Sequence, residues 1–387
     1  MSRQREGRAV TRADVARRAG VSNAVVSYVL NNGPRGVAPE TRERVLSAIE
    51  ELRYRPNAVA RALKVRRTET FGLLVPDNSN PFFAELARAV EDVAYRTGHA
   101  LVLANSNTDP ERERAQLDAL LDRQVDGLLL ISVASGGEVD AAAVGATPVV
   151  LLDRAPVDSA FSSVLVDNAA GAEAATRHLV EHHGLAVDCL AGPGDVSVAV
   201  DREAGWRRAM ERAGHETSGR VHHAGFTRQG GHATMSDLIA AGRTPEALFA
   251  SSDLQAVGVL RAAHEAGLRV PEDLAVVAFD GTPESEYTHP PLTVVRQPIV
   301  TIAEMAVTLL LRAPTQPAAH EIVPGELVVR TSCGCPPPNP PGSADRPGRG
   351  ALTSVGRRRA ADPDRRSEGS DIDGGRRPAG GPHGEGS

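Results

Sequence analysis

The sequence predicts an α/β protein with a small all-α head of the helix-turn-helix kind, followed by a larger body of two β/α lobes. Three observations carry this. Residues 1–67 hold 15 basic and 6 acidic side chains, whereas residues 68–387 hold 28 and 43, in a chain of formal charge −6. Apolar residues recur with helical period on both sides of Gly20. From Phe71 onward short apolar runs alternate with amphipathic stretches, the pattern of parallel sheets covered by helices on both faces. A basic head on an acidic body suits a chain that meets a polyanion with one end. A merely solvated basic arm would show the same charge without the apolar pattern.

Several classes are excluded early. The 387 residues suffice for two or three domains, and 41% hydrophobic content with 3% aromatics calls for cores of Ala, Val and Leu. No apolar run approaches the roughly 18 residues that cross a bilayer, and the first twenty residues lack the apolar stretch of a signal peptide. Three cysteines, with Cys333 and Cys335 two apart, make no disulfide framework, so a reducing cytoplasm is the expected location. Lys64 is the only lysine and stands outside any phosphate-loop motif. S-x-x-K and H-E-x-x-H runs are missing, so neither an enzyme nor a cofactor is expected. The pairs His182/His183 and His222/His223 are adjacent and Cys189 lies far from Cys333, which gives no metal-ligand spacing.

In the head, Thr11-Arg12-Ala13-Asp14 reads as a capping box that opens a helix running to about Ala19. Gly20 supplies the turn, Val21 a buried staple, and Ser22 an N-cap for a second helix over Asn23–Leu30. Ala16, Gly20, Val21 and Val26 fall at helix-turn-helix spacing; an ordinary helical hairpin is the plainer alternative. Pro39 opens a third helix through Val45, Leu46, Ile49 and Leu52. Asn57 caps a very short helix to Lys64, too short to hold alone.

In the body, Phe71–Val75, Ala100–Ala104, Gly127–Ile131 and Pro148–Leu152 read as strands, with helices at Phe82–Thr97, Pro110–Arg123 and Glu138–Val144. The pattern repeats with strands at Leu185–Ala191, Leu248–Ala250 and Leu274–Phe279. Helices there fall at Ala169–His182, Arg202–Ala213, Gln229–Ala241 and Gln255–Ala266. Open α/β sheets bind ligands at the carboxyl ends of their strands. The candidates there are Asp77 through Phe83, Asp153-Arg154, Asp253 and Asp280, with Arg202 opening its helix. Asp280 can equally be a turn residue before Gly281, and Arg202 a helix-start ion-pair partner. Trp206 reads as core.

TRADVARRAGVSNAVVSYVLNN, ETRERVLSAIEELRYRPNAVARALK and the β/α body resemble the lactose-repressor/galactose-repressor family over about residues 9–335. The resemblance implies a helix-turn-helix domain over 1–56, a hinge helix over 57–67, and a periplasmic-binding-protein-like, Rossmann-like effector and dimerisation domain over 68–335. Its lobes would span about 68–168 plus 298–324, and 169–297 plus 325–335. It further implies base-reading positions at Asn23, Ala24 and Tyr28, phosphate anchors at Thr11, Ser22, Ser27, Asn31 and Thr41, and a minor-groove wedge at Leu63 in the helix capped by Asn57. Ala24 offers at most a thymine-methyl contact, and Ala38 replaces a capping serine common in the family. For the effector the matching positions are Asp77, Phe82, Phe83, Asp153, Arg202, Phe226, Asp253 and Asp280, a set suited to a sugar-like polyol. Phe226 has core filling as its alternative. Val196 and Val198 replace frequent polar contacts, and His182-His183-Gly184 departs from the usual Gly-His.

The segment Leu292–Arg312 resembles the family's return crossing, with Gln297 near the interlobe hinge, and Glu326–Arg330 closes the second sheet. The last 52 residues contain 11 Gly and 9 Pro, so residues 336–387 cannot bury a core and are expected to be disordered, without heptads for a coiled coil. The expected function is that of a homodimeric, ligand-responsive repressor that binds double-stranded operator DNA and controls carbohydrate genes, with no membrane partner. A two-lobed binding protein without a DNA role is the rival; the basic head and the lack of a secretion signal argue against it.

Overall fold

The computed structural model describes residues 10–30, 36–55, 67–133, 139–156, 158–313 and 315–336. Apart from Arg67 and Pro336, the expected hinge helix and tail lie outside these residues, and so do Asn31, Asn57 and Leu63.

The head is three helices, α1 (Arg12–Ala19), α2 (Asn23–Leu30) and α3 (Pro39–Glu51). The Asp14 carboxylate accepts from the Thr11 N–H at 2.9 Å and the Thr11 hydroxyl at 2.6 Å, fixing the entry to α1. Gly20 ends α1 at φ +66°, where a side chain would be strained, and the Val21 N–H closes the turn on Ala16 O at 3.0 Å. Ser22 Oγ accepts from the Val25 N–H at 3.4 Å and starts α2. Val15, Ala16, Ala19, Val26, Val29, Val45 and Ala48 form one small core. With seven short side chains, that core stabilises the head only modestly.

The body holds two six-stranded sheets. The first contains β1 (Thr70–Val75), β2 (Ala100–Asn105), β3 (Gly127–Leu130), β4 (Val149–Leu152), β5 (Ser162–Val166) and β11 (His320–Val323). All are parallel, in the order β11-β5-β4-β3-β1-β2. Its strands are apolar on both faces. Leu73, Val75, Leu129, Val150 and Leu152 pack under α4 (Pro81–Arg96) and α12 (Ile299–Arg312). Leu74, Leu128, Leu130 and Leu151 pack against Leu117 and Leu120 of α5 (Pro110–Asp122). Each fully buried leucine contributes about 1.5–3 kcal/mol. The short α6 (Ala141–Val144) precedes β4.

The second sheet contains β6 (Asp188–Ala191), β7 (Val221–His223), β8 (Ala247–Ala250), β9 (Ala275–Asp280), β10 (Thr293–Arg296) and β12 (Glu326–Val328), in the order β12-β10-β9-β8-β6-β7. Only β12 runs antiparallel, against β10. Its helices are α7 (Asn168–His183), α8 (Ser197–Arg212), α9 (Arg228–Ala240), α10 (Asp253–Glu265) and α11 (Glu284–Tyr287). Trp206 is fully buried, and its indole N–H donates to Val187 O at 3.0 Å. The chain leaves the first sheet after β5, returns through α12 to β11, and crosses again between β11 and β12.

The structure adds what the sequence pattern did not reveal. β5, β7 and β11 are strands, and β10 occupies the start of the segment read as a crossing. Helix α8 begins at Ser197, so Arg202 sits in its second turn rather than opening it. Val196, Val198 and Val200 explain the misreading, because β-branched residues lower helix propensity. Among the described residues no helix is long and apolar enough to cross a membrane.

Candidate functional sites

Helix α2 turns Val26 and Val29 inward. At about 100° per residue, Asn23, Ala24, Ser27 and Tyr28 share the opposite arc, where Asn23 and Ala24 are exposed and Ser27 and Tyr28 half-exposed. Ser22, also exposed, stands at the amino end of α2, where free N–H groups favour an anion. Thr11 and Thr41 are half-exposed near the starts of α1 and α3. Thr11 donates its hydroxyl proton to Asp14, which leaves that oxygen an acceptor. Arg17 pairs with Asp14 at 3.2 Å and Arg18 with Glu51 at 2.6 Å, both at the surface, where such pairs contribute little.

In the second lobe the predicted residues converge. The Arg202 side chain is 4% exposed. Its Nε donates to Asn168 Oδ1 at 2.8 Å, and Nη1 donates to Ser251 O at 2.6 Å and to Asp280 Oδ1 at 3.2 Å. Its Cζ lies 3.9 Å from the Phe279 ring centroid and 5.9 Å from that of Phe226, so the cation stands over a close aromatic face and near a second. These contacts engage Nε and Nη1 and leave Nη2 without a protein partner among the described residues. Asp280 also accepts from Gln297 Nε2 at 2.9 Å and has φ +112°, a conformation that costs on the order of 1–3 kcal/mol outside glycine.

Asp253 opens α10 beside it. Its Oδ2 accepts from the Thr282 N–H and hydroxyl, both at 2.7 Å, while Oδ1 is buried without a hydrogen-bond partner. Burial first, and the nearby Asp280 charge second, push the Asp253 carboxyl well above the usual carboxylate range. Burial also raises Asp280, against the opposing pull of Arg202. Asp153, at the end of β4 in the first sheet, adds its charge to the rise at Asp280. Asp153 itself has φ +64° and is paired with Arg154 at 3.3 Å. Phe226 is half-buried with its ring against Gly192, where the Cβ of any other residue would clash with it.

The remaining first-lobe candidates do not join this cluster. Phe82 and Phe83 are 4% and 8% exposed, pack in the core, and touch edge-on with centroids 5.2 Å apart. Asp77 is half-exposed and accepts from the Ser79 N–H at 2.9 Å and hydroxyl at 2.7 Å. Asn168, Phe279 and Thr282 entered the site unpredicted. Asn168 follows β5, the strand that the apolar pattern had not marked. The fold also groups His178 with Cys333 and Cys335, a set hidden by 155 residues of separation.

A helix-turn-helix head on a two-lobed body with a charged cluster at its strand ends defines a class: DNA-binding regulators that answer to a small ligand. Comparison with known proteins agrees. Residues 11–57 match the model "Bacterial regulatory proteins, lacI family", and residues 176–333 match a periplasmic binding protein-like domain. The ribose operon repressor of Escherichia coli K12 is 36% identical over 315 residues, covering 80% of this chain and 95% of that protein. That of Halalkalibacterium halodurans is 41% identical over 323 residues, covering 82% and 95%. A lac repressor dimer bound to operator and an anti-inducer superimposes with TM-score 0.77 at 27% identity, covering 84% of this chain and 99% of that one. The chain belongs to the lacI family of bacterial regulatory proteins. It is a ligand-responsive, DNA-binding transcriptional repressor, and its work is regulation rather than catalysis.

Proposed function

We propose that this repressor acts as a cytoplasmic homodimer on a pseudo-palindromic operator and controls uptake or breakdown of a carbohydrate, with a pentose such as ribose as effector. The observation that carries the effector reading is the buried Arg202, tied to Asn168, Ser251 and Asp280 and walled by Phe279 and Phe226. An aromatic wall accepts the C–H face of a sugar ring. Arg202 Nη2 offers donors to hydroxyl oxygens, and the unpartnered Asp253 Oδ1 can pair with a hydroxyl in either protonation state. In this reading Asp153 and Asp77 are the first lobe's share of the site, and Phe82 and Phe83 serve it only from that lobe's core. Relatives that are named for the ribose operon support the pentose.

In this reading residues 1–56 read DNA through Asn23, Ala24 and Tyr28. Ser22, Ser27, Thr11, Thr41 and Asn31 hold phosphates. Residues 57–67, with Asn57 and Leu63, form the hinge helix that folds in the minor groove. We divide the body into lobes at 68–168 plus 298–324 and 169–297 plus 325–335, a division supported by its two separate sheets. Titration calorimetry of the full chain with D-ribose tests the effector: saturable one-site binding supports it. Heat from hexoses or purine bases but none from pentoses overturns the pentose assignment.

A further inference from the structure

A second constellation lies at the opposite, amino ends of the second sheet's strands. After β12 the chain runs across β9 and β10. Ser332 Oγ accepts from the Thr293 N–H at 2.8 Å and donates to Val276 O at 2.7 Å, and the Val276 N–H donates to Ser332 O at 2.9 Å. Cys333-Gly334-Cys335 therefore leaves a fixed point. Gly334 has φ +80°, and its N–H closes on Thr331 O at 3.1 Å; this turn favours glycine. It carries both cysteines to His178 on α7. One imidazole nitrogen and the two sulfurs lie within 4.8 Å of one another, with His178 Nε2 3.4 Å from Cys333 Sγ. Cys333 is fully buried, Cys335 is 9% exposed, and both are free thiols.

Neighbouring groups brace the arrangement. His183, one turn further along α7, hydrogen-bonds Cys333 O through Nε2. The Thr293 hydroxyl accepts from the Arg330 N–H at 2.9 Å and directs its own proton to Cys333 Sγ at 3.1 Å. A hydroxyl donating to sulfur is the kind of outer contact that supports a metal thiolate.

We propose that Cys333, Cys335 and His178 form a binding site for one thiophilic divalent cation, zinc being the ion this donor set fits. Two thiolates and an imidazole match zinc in softness and number, and leave a fourth tetrahedral position for water. Bond lengths of about 2.3 Å to sulfur and about 2.0 Å to nitrogen place such donors less than 4.8 Å apart, so a small inward movement of the side chains completes the sphere. Binding replaces each S–H bond with an S–Zn bond and releases two protons to solvent, without change of oxidation state. The ion would fasten residues 333–335 to α7.

The test is a titration of the reduced, chelator-stripped full chain with cobalt(II), followed by zinc(II). The expected result is one equivalent of cobalt showing thiolate charge-transfer and tetrahedral d–d bands, displaced by zinc, with an upward shift of the melting temperature. Cys335→Ser and His178→Gln should each weaken zinc binding about tenfold or more. Cys189→Ala removes a thiol buried in the sheet core, outside the cluster, and should bind as the parent does. Melting without metal shows that each variant is folded. Cobalt spectra lacking thiolate bands, or unchanged zinc affinity in folded Cys335→Ser, would overturn the proposal.

Discussion

The two lobes share one strand order around their central strands, yet their strand ends carry different chemistry. In the first lobe Phe82 and Phe83 are spent on the core, and Asp77 already binds Ser79. In the second lobe Arg202, Asp280, Asn168, Ser251 and Gln297 form one buried network, and Asp253 keeps an unpartnered oxygen next to it. The second lobe thus holds a ready-made polar network, whereas the first brings only the charge of Asp153 to bear on it. A ligand that binds the preorganised lobe first and then recruits the other has different affinities for open and closed arrangements, which any allosteric effector requires.

The sharpest break of this asymmetry is Arg202→Ala. It leaves Asp280 buried without its cation and should destabilise the body by about 3–5 kcal/mol, read by chemical denaturation, with pentose binding abolished in the folded fraction. Leu63→Ala acts on the other end of the coupling. It should weaken operator binding by about 1–3 kcal/mol at matched salt while calorimetry of effector binding stays unchanged; an unaltered operator affinity removes the wedge.

Asp253→Asn sharpens the picture of the second lobe. The folded chain holds a proton on Asp253 from the ordinary aspartate range near 3.8 up to about 8, a range in which the unfolded chain has released it. The contribution of this group is therefore fully present below the unfolded value and is lost as pH rises through the folded one. The slope is at most about 1.4 kcal/mol per pH unit. Asp253→Asn should flatten that slope in denaturation curves taken across this range, and an undiminished slope would place the titration elsewhere. Smallest of all, Asp77→Ala should cost less than about 1 kcal/mol in effector binding, since its carboxylate serves a local turn; a larger loss would make the first lobe an equal partner.

The strongly periodic parts of the fold were legible in the sequence. Gly20 between two apolar-faced helices marked the head, and the Leu and Val runs of β1, β3 and β4 marked the first sheet. β7 was not, because Val221-His222-His223 at a sheet edge needs no apolar run, and the serines of β5 interrupt its pattern. Arg202, Asp253 and Asp280 could be singled out as charges at predicted strand ends or on a predicted helix. Asn168, Phe279 and Thr282 could not, since their part in the site depends on tertiary contacts. The same holds for His178 and the cysteines, which no local spacing connects.

Occupation of the Arg202 cluster should change the affinity of the distant head for operator DNA, and this coupling is what makes the chain a regulator. It is tested most directly by measuring the affinity of the full chain for an operator selected from random duplexes, at fixed salt, with and without saturating D-ribose. Operator affinity should change by about 5–150-fold, and the change should disappear in Arg202→Ala. An operator affinity identical in both conditions, with ribose shown calorimetrically to be bound, would contradict this coupling.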